Sequence, residues 1–260
     1  MNVGADSMES NHIKFYKNGS YEIVDGVGNP AFPFHSHQSF IIGIIKTGKV
    51  ILKTTGNQYV LADNTAYIIP PNIGFSLTPL MPYSYRTLCI SGEPRESLLK
   101  DISGISVVTD IGEGIYKLCD SYKSGLQADV FLSELKGLLL VNLSGGQNSR
   151  IIKTADFIQN AVNYIDEYIE EKLTLQAIAE DVHISQYYLS RSFKQQVGVT
   201  LQQYILQGKL RRARQKAVYK TPSAQIAAQV NFAAQSHLCS SFKKYMGITL
   251  EDYKRNLLIK

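Results

Sequence analysis

The sequence predicts an α+β protein of two domains: an amino-terminal antiparallel β-barrel with two following helices, and a carboxy-terminal all-α domain with two helix–turn–helix motifs. Two observations support this. Short β-branched and aromatic runs recur about every ten residues between Tyr21 and Ile90. A helical pattern of about thirty residues then occurs twice, once at 173–204 and once at 223–253. The 260 residues suffice for two ordinary domains.

The charge distribution separates the same two regions. Residues 1–149 hold 11 Lys and Arg against 13 Asp and Glu, a net charge of −2, and residues 150–260 hold 16 against 9, a net charge of +7. Between Val182 and Leu250 there are ten basic residues and no acidic one. A basic segment on a helical scaffold indicates a polyanionic partner, and a merely solvated basic face is the alternative.

The composition disfavours several other classes of protein. There is no run of about eighteen apolar residues, so we expect no membrane span. The first ten residues lack the basic-then-apolar order of a secretory signal. Cys89, Cys119 and Cys239 lie far apart without the spacing of a metal site. We interpret them as reduced thiols of a cytoplasmic protein.

The chain is predicted to divide into four parts. Residues 1–20 form a flexible arm or an edge strand, 21–144 the β domain with its helices, 145–150 a linker, and 151–260 the helical domain. The linker is expected because six small polar residues, SGGQNS, separate an apolar helix from a new helical segment.

Within the β domain we expect six strands, separated by turn signals such as Pro70-Pro71 and Gly74. These strands cover 40–45, 50–55, 59–61, 66–70, 75–80 and 83–90. Helical spacing follows at 111–122 and 129–143. The second of these helices has a wide apolar face. This face either packs onto the sheet or in part provides the contact of a homodimer. It consists of Val130, Leu132, Leu135, Leu138, Leu139 and Val141.

In the helical domain, the first copy of the repeat is predicted to be a helix–turn–helix. Thr174 and Ser185 are suitable caps for its two helices, and Gly198 suits the left-handed position that ends the second one. The corresponding helix of the second copy begins near Ala234, which is a poor cap.

Two further helices are expected around this repeat. One covers about 154–170. The other, over about 200–218, joins the two copies and at about 1.5 Å per residue spans roughly 27 Å. That length is close to one turn of DNA, roughly 34 Å.

Polar and basic side chains with the reach for base edges and phosphates are predicted on the exposed faces of the repeat. In the first copy they are Gln186, Tyr187, Ser190, Arg191 and Lys194; in the second they are Gln235, Ser236, Ser240, Lys243 and Lys244. On the joining helix, Arg211, Arg212 and Arg214 are expected to clamp phosphates or to pair with acidic groups. Because Ser240 stands where the first copy has Arg191, we expect the second copy to add affinity and shape readout more than base choice.

The stretch from Leu173 to Arg255 resembles the DNA-binding domain of the AraC/XylS family of bacterial transcription regulators. The resemblance rests on the patterns IA…YLSR.FK…G.T and IA…FKK..GIT..DY, with KLRRA between them. It implies that Tyr187, Ser190 and Arg191 face bases in the first recognition helix, and Gln235, Ser236 and Ser240 in the second. This sequence departs from the family at Asn231, usually glycine, at Leu250, usually proline, and at Lys209, usually arginine.

Two histidines, His35 and His37, begin the β region. Residues two apart share one face of a strand, so both imidazoles can point into the barrel. A metal site of the cupin type would need a carboxylate and a further histidine, but Ile41-Ile42 and Phe75 stand in those regions. Two ligands make a poor metal site, so we expect no metal and no cofactor. The histidines then line a pocket or have a structural role.

The stretch from His35 to Ile90 also resembles the cupin-like sensor domains that precede this type of DNA-binding domain. The resemblance implies a small-molecule pocket inside the barrel and a dimer contact through the helices in 111–144. Candidate pocket residues are His35, His37, Phe40, Tyr67, Tyr85 and Arg86. Arg86 either binds an anionic effector or points outward on an alternating strand.

Together these observations predict a cytoplasmic, homodimeric bacterial transcription regulator without catalytic residues. Its expected partners are double-stranded DNA, a small-molecule effector and RNA polymerase, with activation as the usual outcome in the family. The alternatives are a cupin metalloenzyme with a DNA-binding tail, and a ligand-independent regulator whose barrel only dimerises.

Overall fold

The protein consists of a β-rich domain followed by a helical domain, in a computed structural model that describes residues 11–102, 104–143 and 155–259. The strands are β1 (His12–Asn18), β2 (Tyr21–Gly28), β3 (Phe32–His35), β4 (Phe40–Thr47), β5 (Val50–Thr54), β6 (Gln58–Leu61), β7 (Thr65–Ile69), β8 (Phe75–Pro79), β9 (Tyr83–Ile90), β10 (Ser106–Val108) and β11 (Leu257–Ile259). The helices are α1 (Gly92–Leu99), α2 (Gly112–Lys123), α3 (Ala128–Leu143), α4 (Asp156–Glu167), α5 (Leu175–Asp181), α6 (Gln186–Val197), α7 (Leu201–Ala217), α8 (Ser223–Gln229), α9 (Gln235–Met246) and α10 (Leu250–Asn256).

The β domain is made of two facing sheets. The larger has the strand order β10-β7-β4-β9-β2-β1-β11, and the smaller has the order β3-β8-β5-β6. Within the described residues no ladder of hydrogen bonds joins the two sheets, so the strands do not close into a barrel. The two-domain α+β prediction is confirmed, and the expectation of a closed barrel is corrected to two packed sheets.

The side chains of the larger sheet alternate between its two faces, and each face belongs to a separate hydrophobic core. Ile41 and Ile45 of β4 face the smaller sheet, whereas Ile42 and Ile44 face the helices that cover the other side. Successive side chains of a strand point to opposite faces, which explains why β4 is apolar on both sides. The helical cover consists of α1, α2 and α3, of which α1 was not predicted.

In the described part of the amino-terminal segment, the strand alternative is observed and not the flexible arm. Residues 12–18 form β1, which pairs antiparallel with β2 along its whole length. Its other edge pairs in parallel with β11, at the carboxy-terminal end of the chain. Ile13 and Phe15 are buried, so β1 is fixed by packing as well as by backbone hydrogen bonds. The linker predicted at 145–150 lies outside the described residues.

The helical domain follows the repeat and has two cores. The first copy, α5 and α6, packs with α4 and the start of α7 around Phe193. The second copy, α8 and α9, packs with α10 and the end of α7 around Phe242. Gly198 and Gly247 both end their helices in the left-handed conformation, with φ of 87° and 77°, as the repeat predicts.

The two domains are in direct contact along α7. Ile13 and Phe15 of β1 belong to the core of the second copy. The side chain of Gln207 accepts a hydrogen bond from the backbone N–H of Ser36 at 3.0 Å, and the backbone N–H of Gly74 donates to the carbonyl of Val197 at 2.8 Å. The position of the helical domain is therefore coupled to the sheets.

Candidate DNA interface and effector pocket

Helix α6 presents a polar face above a buried core. Ser185 caps it by accepting a hydrogen bond from the backbone N–H of Tyr188 at 3.2 Å, as predicted. Leu189 and Phe193 are buried beneath it. Four of the five predicted reading residues are exposed and Ser190 is half-buried; the four are Gln186, Tyr187, Arg191 and Lys194. The predicted first reading face is thus largely exposed to solvent.

Helix α9 presents the equivalent face of the second copy. Ala234 has extended backbone angles but provides no side-chain cap, as its sequence predicts. The predicted residues on this face are all exposed; they are Gln235, Ser236, Ser240, Lys243 and Lys244. The hydroxyl of Ser240 donates to the carbonyl of His237 at 3.2 Å, so it has less freedom to contact a base than Arg191 has.

The basic residues of α7 do not form a single phosphate-binding row. Arg214 pairs with Glu22 of β2 at 2.9 Å, and Arg211 lies against Tyr204 with its Nη2 atom 3.7 Å from a carboxylate oxygen of Asp166 in α4. Pairing with acidic groups, one of the two roles expected for them, is therefore the arrangement observed for both. Arg212 is half-buried and donates to the side chain of Gln215 at 3.2 Å.

A small apolar cavity of about 80 Å³ lies between the sheets and the helical domain. Four of the six predicted effector residues line it: His35, His37, Tyr67 and Tyr85. The remaining wall is largely apolar and includes residues that were not predicted, among them Phe32, Phe75, Leu77 and Met246. The cavity therefore has the mixed character of a small-molecule site, with few polar groups in an apolar wall.

The histidines and tyrosines of this cavity are neutral near pH 7, whereas Arg214, which also lines it, is charged and pairs with Glu22. Burial lowers the pKa of His35 to about 4 and lowers the pKa of His37 well below its usual value. The Nδ1 atom of His35 donates to the carbonyl of Pro33 at 2.7 Å, which fixes the imidazole ring. Burial also raises the pKa of Tyr67 and Tyr85, so both keep their hydroxyl protons.

The structure places the other two predicted effector residues elsewhere. Phe40 belongs to the core beneath the covering helices. Arg86 follows Tyr85 on β9 and therefore points to the opposite side of the sheet. Its guanidinium pairs there with Asp25 and Asp120. Arg86 thus faces away from the cavity, as the second alternative for it predicts, but it is buried beneath α2 and is not exposed, and neither residue lines the cavity.

The two histidines lie close together, with ring centroids 4.9 Å apart. Among the described residues, no group of three or more His, Cys, Asp or Glu side chains is arranged to hold a metal ion. Cys89 and Cys119 are buried and Cys239 is half-buried, and all three thiols are free. No helix in the described part of the chain is long and apolar enough to cross a bilayer.

The apolar face predicted on α3 is divided between two environments. Leu135 and Leu139 are buried against the sheet, and Leu132 and Leu138 are half-buried. On the outer side, three residues are exposed: Val130, Leu140 and Val141, the last with 78% of its surface exposed. Packing onto the sheet therefore accounts for one part of the face only.

Sequence reasoning missed the residues that join the two domains. Glu22, Gln207 and Asn72 each bond a residue of the other domain, Asn72 by accepting from the Tyr204 hydroxyl at 3.0 Å. In each case the partner lies far away in the sequence, in the other domain, and no local sequence pattern identifies it.

A ligand-binding β domain joined to a double helix–turn–helix defines a two-domain transcription regulator. Family models match both parts: the AraC-like ligand-binding domain over residues 20–139 and the helix–turn–helix domain over residues 178–256. The chain belongs to the AraC family of transcription regulators.

Two relatives of known sequence are similar to the chain over most of its length. The chain is 23% identical over 221 residues to the HTH-type transcriptional regulator YbfI of Bacillus subtilis, covering 79% of this chain and 80% of YbfI. It is 21% identical over 227 residues to the lactose operon transcription activator of Staphylococcus xylosus, covering 80% of each.

Solved structures of ToxT from Vibrio cholerae have the same fold at low identity. The apo form of a ToxT variant has a TM-score of 0.68 at 16% identity, covering 94% of this chain and 100% of ToxT. The wild-type form bound to an unsaturated fatty acid has a TM-score of 0.66 at 16% identity, covering 96% and 98%.

Proposed function

We propose that this regulator binds double-stranded DNA through α6 and α9, and activates transcription under the control of a small molecule bound in the β domain. The observation that carries the proposal is the pair of exposed, polar helices, each fixed on its own buried core and both attached to α7. The lactose operon activator of S. xylosus supports activation as the direction of control.

The two helices have different proposed roles at the DNA. Arg191 and Tyr187 are the main base-reading residues, together with Gln186 and the half-buried Ser190, because α6 exposes long donors at its amino end. On α9, Gln235, Ser236 and Ser240 make shorter contacts. Lys194, Lys243 and Lys244 contact phosphates, and Arg212 does so from α7.

The proposed effector lies against His35, His37, Tyr67 and Tyr85. The cavity has a volume of about 80 Å³, which is smaller than the pockets that hold most drug-sized ligands. The effector is therefore small, or the two sheets move apart to admit it. Gln207 and Glu22 connect this region to α7. Binding there alters the placement of α6 and α9 by a population shift, and involves no chemical reaction.

We further propose that the protein acts as a homodimer in the bacterial cytoplasm and contacts RNA polymerase. The exposed side of α3, with Val130, Leu140 and Val141, is the proposed dimer contact, because three large apolar side chains on one outer face favour a second copy. Two copies would present their recognition helices to repeated DNA half-sites.

Selection from a random double-stranded library tests the DNA-binding function. Purified protein is expected to enrich one motif, and fluorescence anisotropy is expected to give at least about a thousandfold preference for that motif over random DNA. Equal affinity for all sequences would contradict a specific regulator. Metal analysis of the same preparation gives an independent check, since stoichiometric metal at His35 and His37 would favour an enzyme.

A further inference from the structure

The loop between β7 and β8 lies against both domains. It consists of residues 70–74, and its backbone turns at Asn72, which has a left-handed φ of 61°. On the side of the β domain, the backbone N–H of Asn72 donates to the carbonyl of His37 at 2.7 Å. Phe75, the next residue after the loop, stacks on the His37 ring with centroids 5.8 Å apart. The loop is therefore fixed to two residues that line the apolar cavity.

The opposite side of this loop holds the carboxy-terminal end of α6. The backbone N–H of Gly74 donates to the carbonyl of Val197, the last residue of α6, at 2.8 Å. The last carbonyls of a helix have no partner within it, so this bond satisfies one of them from the other domain. A Cβ at position 74 would lie 2.7 Å from the carbonyl oxygen of Val197 and 2.7 Å from the ring of Phe34. The close approach of the loop to α6 therefore requires glycine.

The side chain of Asn72 contacts the helical domain at a second point. Its Oδ1 atom accepts a hydrogen bond from the hydroxyl of Tyr204, in the first turn of α7, at 3.0 Å. Tyr204 is fully buried, and burial raises the pKa of its hydroxyl, which therefore remains a donor near pH 7. Its ring packs edge-on against Phe193 of α6, with centroids 5.4 Å apart. Through one side chain, Asn72 thus bonds to the core beneath the first reading face.

The β domain holds the two copies of the repeat in different ways. The second copy shares an apolar core with Ile13 and Phe15 of β1. Half-buried Phe34 packs against the core of the first copy, and the hydrogen bonds of Asn72 and Gly74 add to that contact. A hydrogen bond is directional whereas apolar burial is not, so these bonds fix an orientation. The placement of α6 relative to α9 therefore depends on the loop.

We propose that Asn72 is a positioning residue for α6: its amide fixes the first reading helix relative to the β domain, and the same residue connects that helix to the wall of the apolar cavity. This inference rests on the proposed function and identifies the residue through which the β domain acts on DNA reading. Two reading helices engage two segments of DNA together only when their spacing is preserved. Preorganisation of α6 by Asn72 thus favours the selected motif over random DNA, which is bound mainly through its phosphates.

The affinities of the full-length protein for the selected motif and for random DNA test the proposal, measured by fluorescence anisotropy. Asn72→Gly retains the left-handed backbone but removes the acceptor of the Tyr204 hydroxyl. It is expected to lower the ratio of the two affinities about three- to tenfold, the size expected for one hydrogen bond. Asn72→Asp, which also tolerates this backbone and keeps an oxygen acceptor, is expected to retain the ratio.

Asn64→Gly is the matched control. Asn64 also has a left-handed φ, of 60°, and its side chain accepts a hydrogen bond from the backbone N–H of Glu113 within the β domain. The control is expected to leave the ratio unchanged although it loses a comparable bond. Thermal melting verifies that each variant remains folded.

Tyr204→Phe removes the donor of the Asn72 bond and keeps the aromatic ring. It should lower the ratio as Asn72→Gly does. The double variant should show no further decrease, because both changes remove the same bond.

Hydrogen exchange provides a readout that does not require DNA. Asn72→Gly and Tyr204→Phe are expected to accelerate the exchange of amides in the last turn of α6, whereas Asn64→Gly should leave it unchanged. Exchange in α6 that is the same in all three variants, an additive double variant, or stronger binding of the motif by Asn72→Gly would overturn the proposal.

The same measurements separate this inference from the proposed function. If the wild-type protein binds DNA specifically and Asn72→Gly behaves like the control, the positioning role is wrong and the regulator function stands. If the wild-type protein has no sequence preference but exchange in α6 still depends on Asn72 and Tyr204, the proposed function fails and the positioning of α6 stands.

Discussion

The two copies of the repeat have the same framework but different surfaces. Each has two helices, a buried phenylalanine and a left-handed glycine at the end of its second helix. The first copy adds a side-chain cap at Ser185 and an exposed Arg191, and the second has Ala234 and Ser240 at those places. A repeated fold therefore does not imply a repeated function, because the buried pattern fixes the fold and the exposed residues determine recognition.

The copies also differ in what surrounds them. The core of the second copy includes Ile13 and Phe15 of β1, and α10 continues into β11, which pairs with β1. The first copy contacts the β domain through shorter links, such as the hydrogen bond between Gly74 and Val197. The second copy thus shares its core with the β domain, and its exposed face has Ser240 at the position of Arg191.

The largest expected effect is on the free energy of unfolding, and it tests whether the two cores of the helical domain are independent. Phe193→Ala and Phe242→Ala each remove a fully buried ring and should lower the free energy of unfolding by about 3–5 kcal/mol, measured by urea denaturation. Only Phe242→Ala should also reduce hydrogen-exchange protection in β1, because Tyr253 contacts both Phe242 and Phe15. Equal loss of protection in β1 for both variants would show that the cores are not separate.

A smaller effect is expected at the caps. Ser185→Ala should cost about 1 kcal/mol, because the backbone N–H of Tyr188 loses its acceptor. Ala234→Ser should stabilise the protein by up to about 1 kcal/mol, since the backbone of Ala234 is already extended. Ala228→Ser, at an exposed interior position of α8, is the control. A stabilising Ser185→Ala would contradict the proposed difference between the copies.

The smallest expected effect concerns the lysines of α9. Lys243→Ala or Lys244→Ala should weaken binding to selected and random DNA alike, and should reduce the dependence of log K on log salt by about one unit for each phosphate that is no longer neutralised. Lys100→Ala, exposed in the β domain, should change neither quantity. An unaltered salt slope in both α9 variants would exclude them as phosphate-binding residues.

Much of this organisation follows from local sequence patterns. Short β-branched and aromatic runs located β4 and β9, and the caps Thr174 and Ser185 located α5 and α6, because these signals depend on neighbours only a few residues away. The alternation of side chains along a strand, applied to Tyr85 and Arg86, indicates that only one of the two can face the cavity. Four of the six candidate pocket residues line one cavity, namely His35, His37, Tyr67 and Tyr85, whereas Phe40 and Arg86 do not.

Contacts between distant segments were not predictable in the same way. Strand β1 is stabilised by β11 and by helices of the second copy, at the opposite end of the chain. Arg214 lies in a basic run typical of phosphate contacts, yet its partner is Glu22. The charge pattern alone predicted a cationic surface, and only the packing of the two domains shows which arginines are turned away from it.

The most direct test of the unequal copies compares Arg191 with the residue at the matching position, Ser240. The ratio of affinities for the selected motif and for random DNA is measured by anisotropy at one salt concentration. Arg191→Ala is expected to lose about 1–3 kcal/mol on the selected motif and much less on random DNA, so that the ratio falls. Ser240→Ala is expected to leave the ratio nearly unchanged. An equal fall in the ratio for both variants, or an Arg191→Ala loss of the same size on both DNAs, would contradict the assignment of base choice to the first copy.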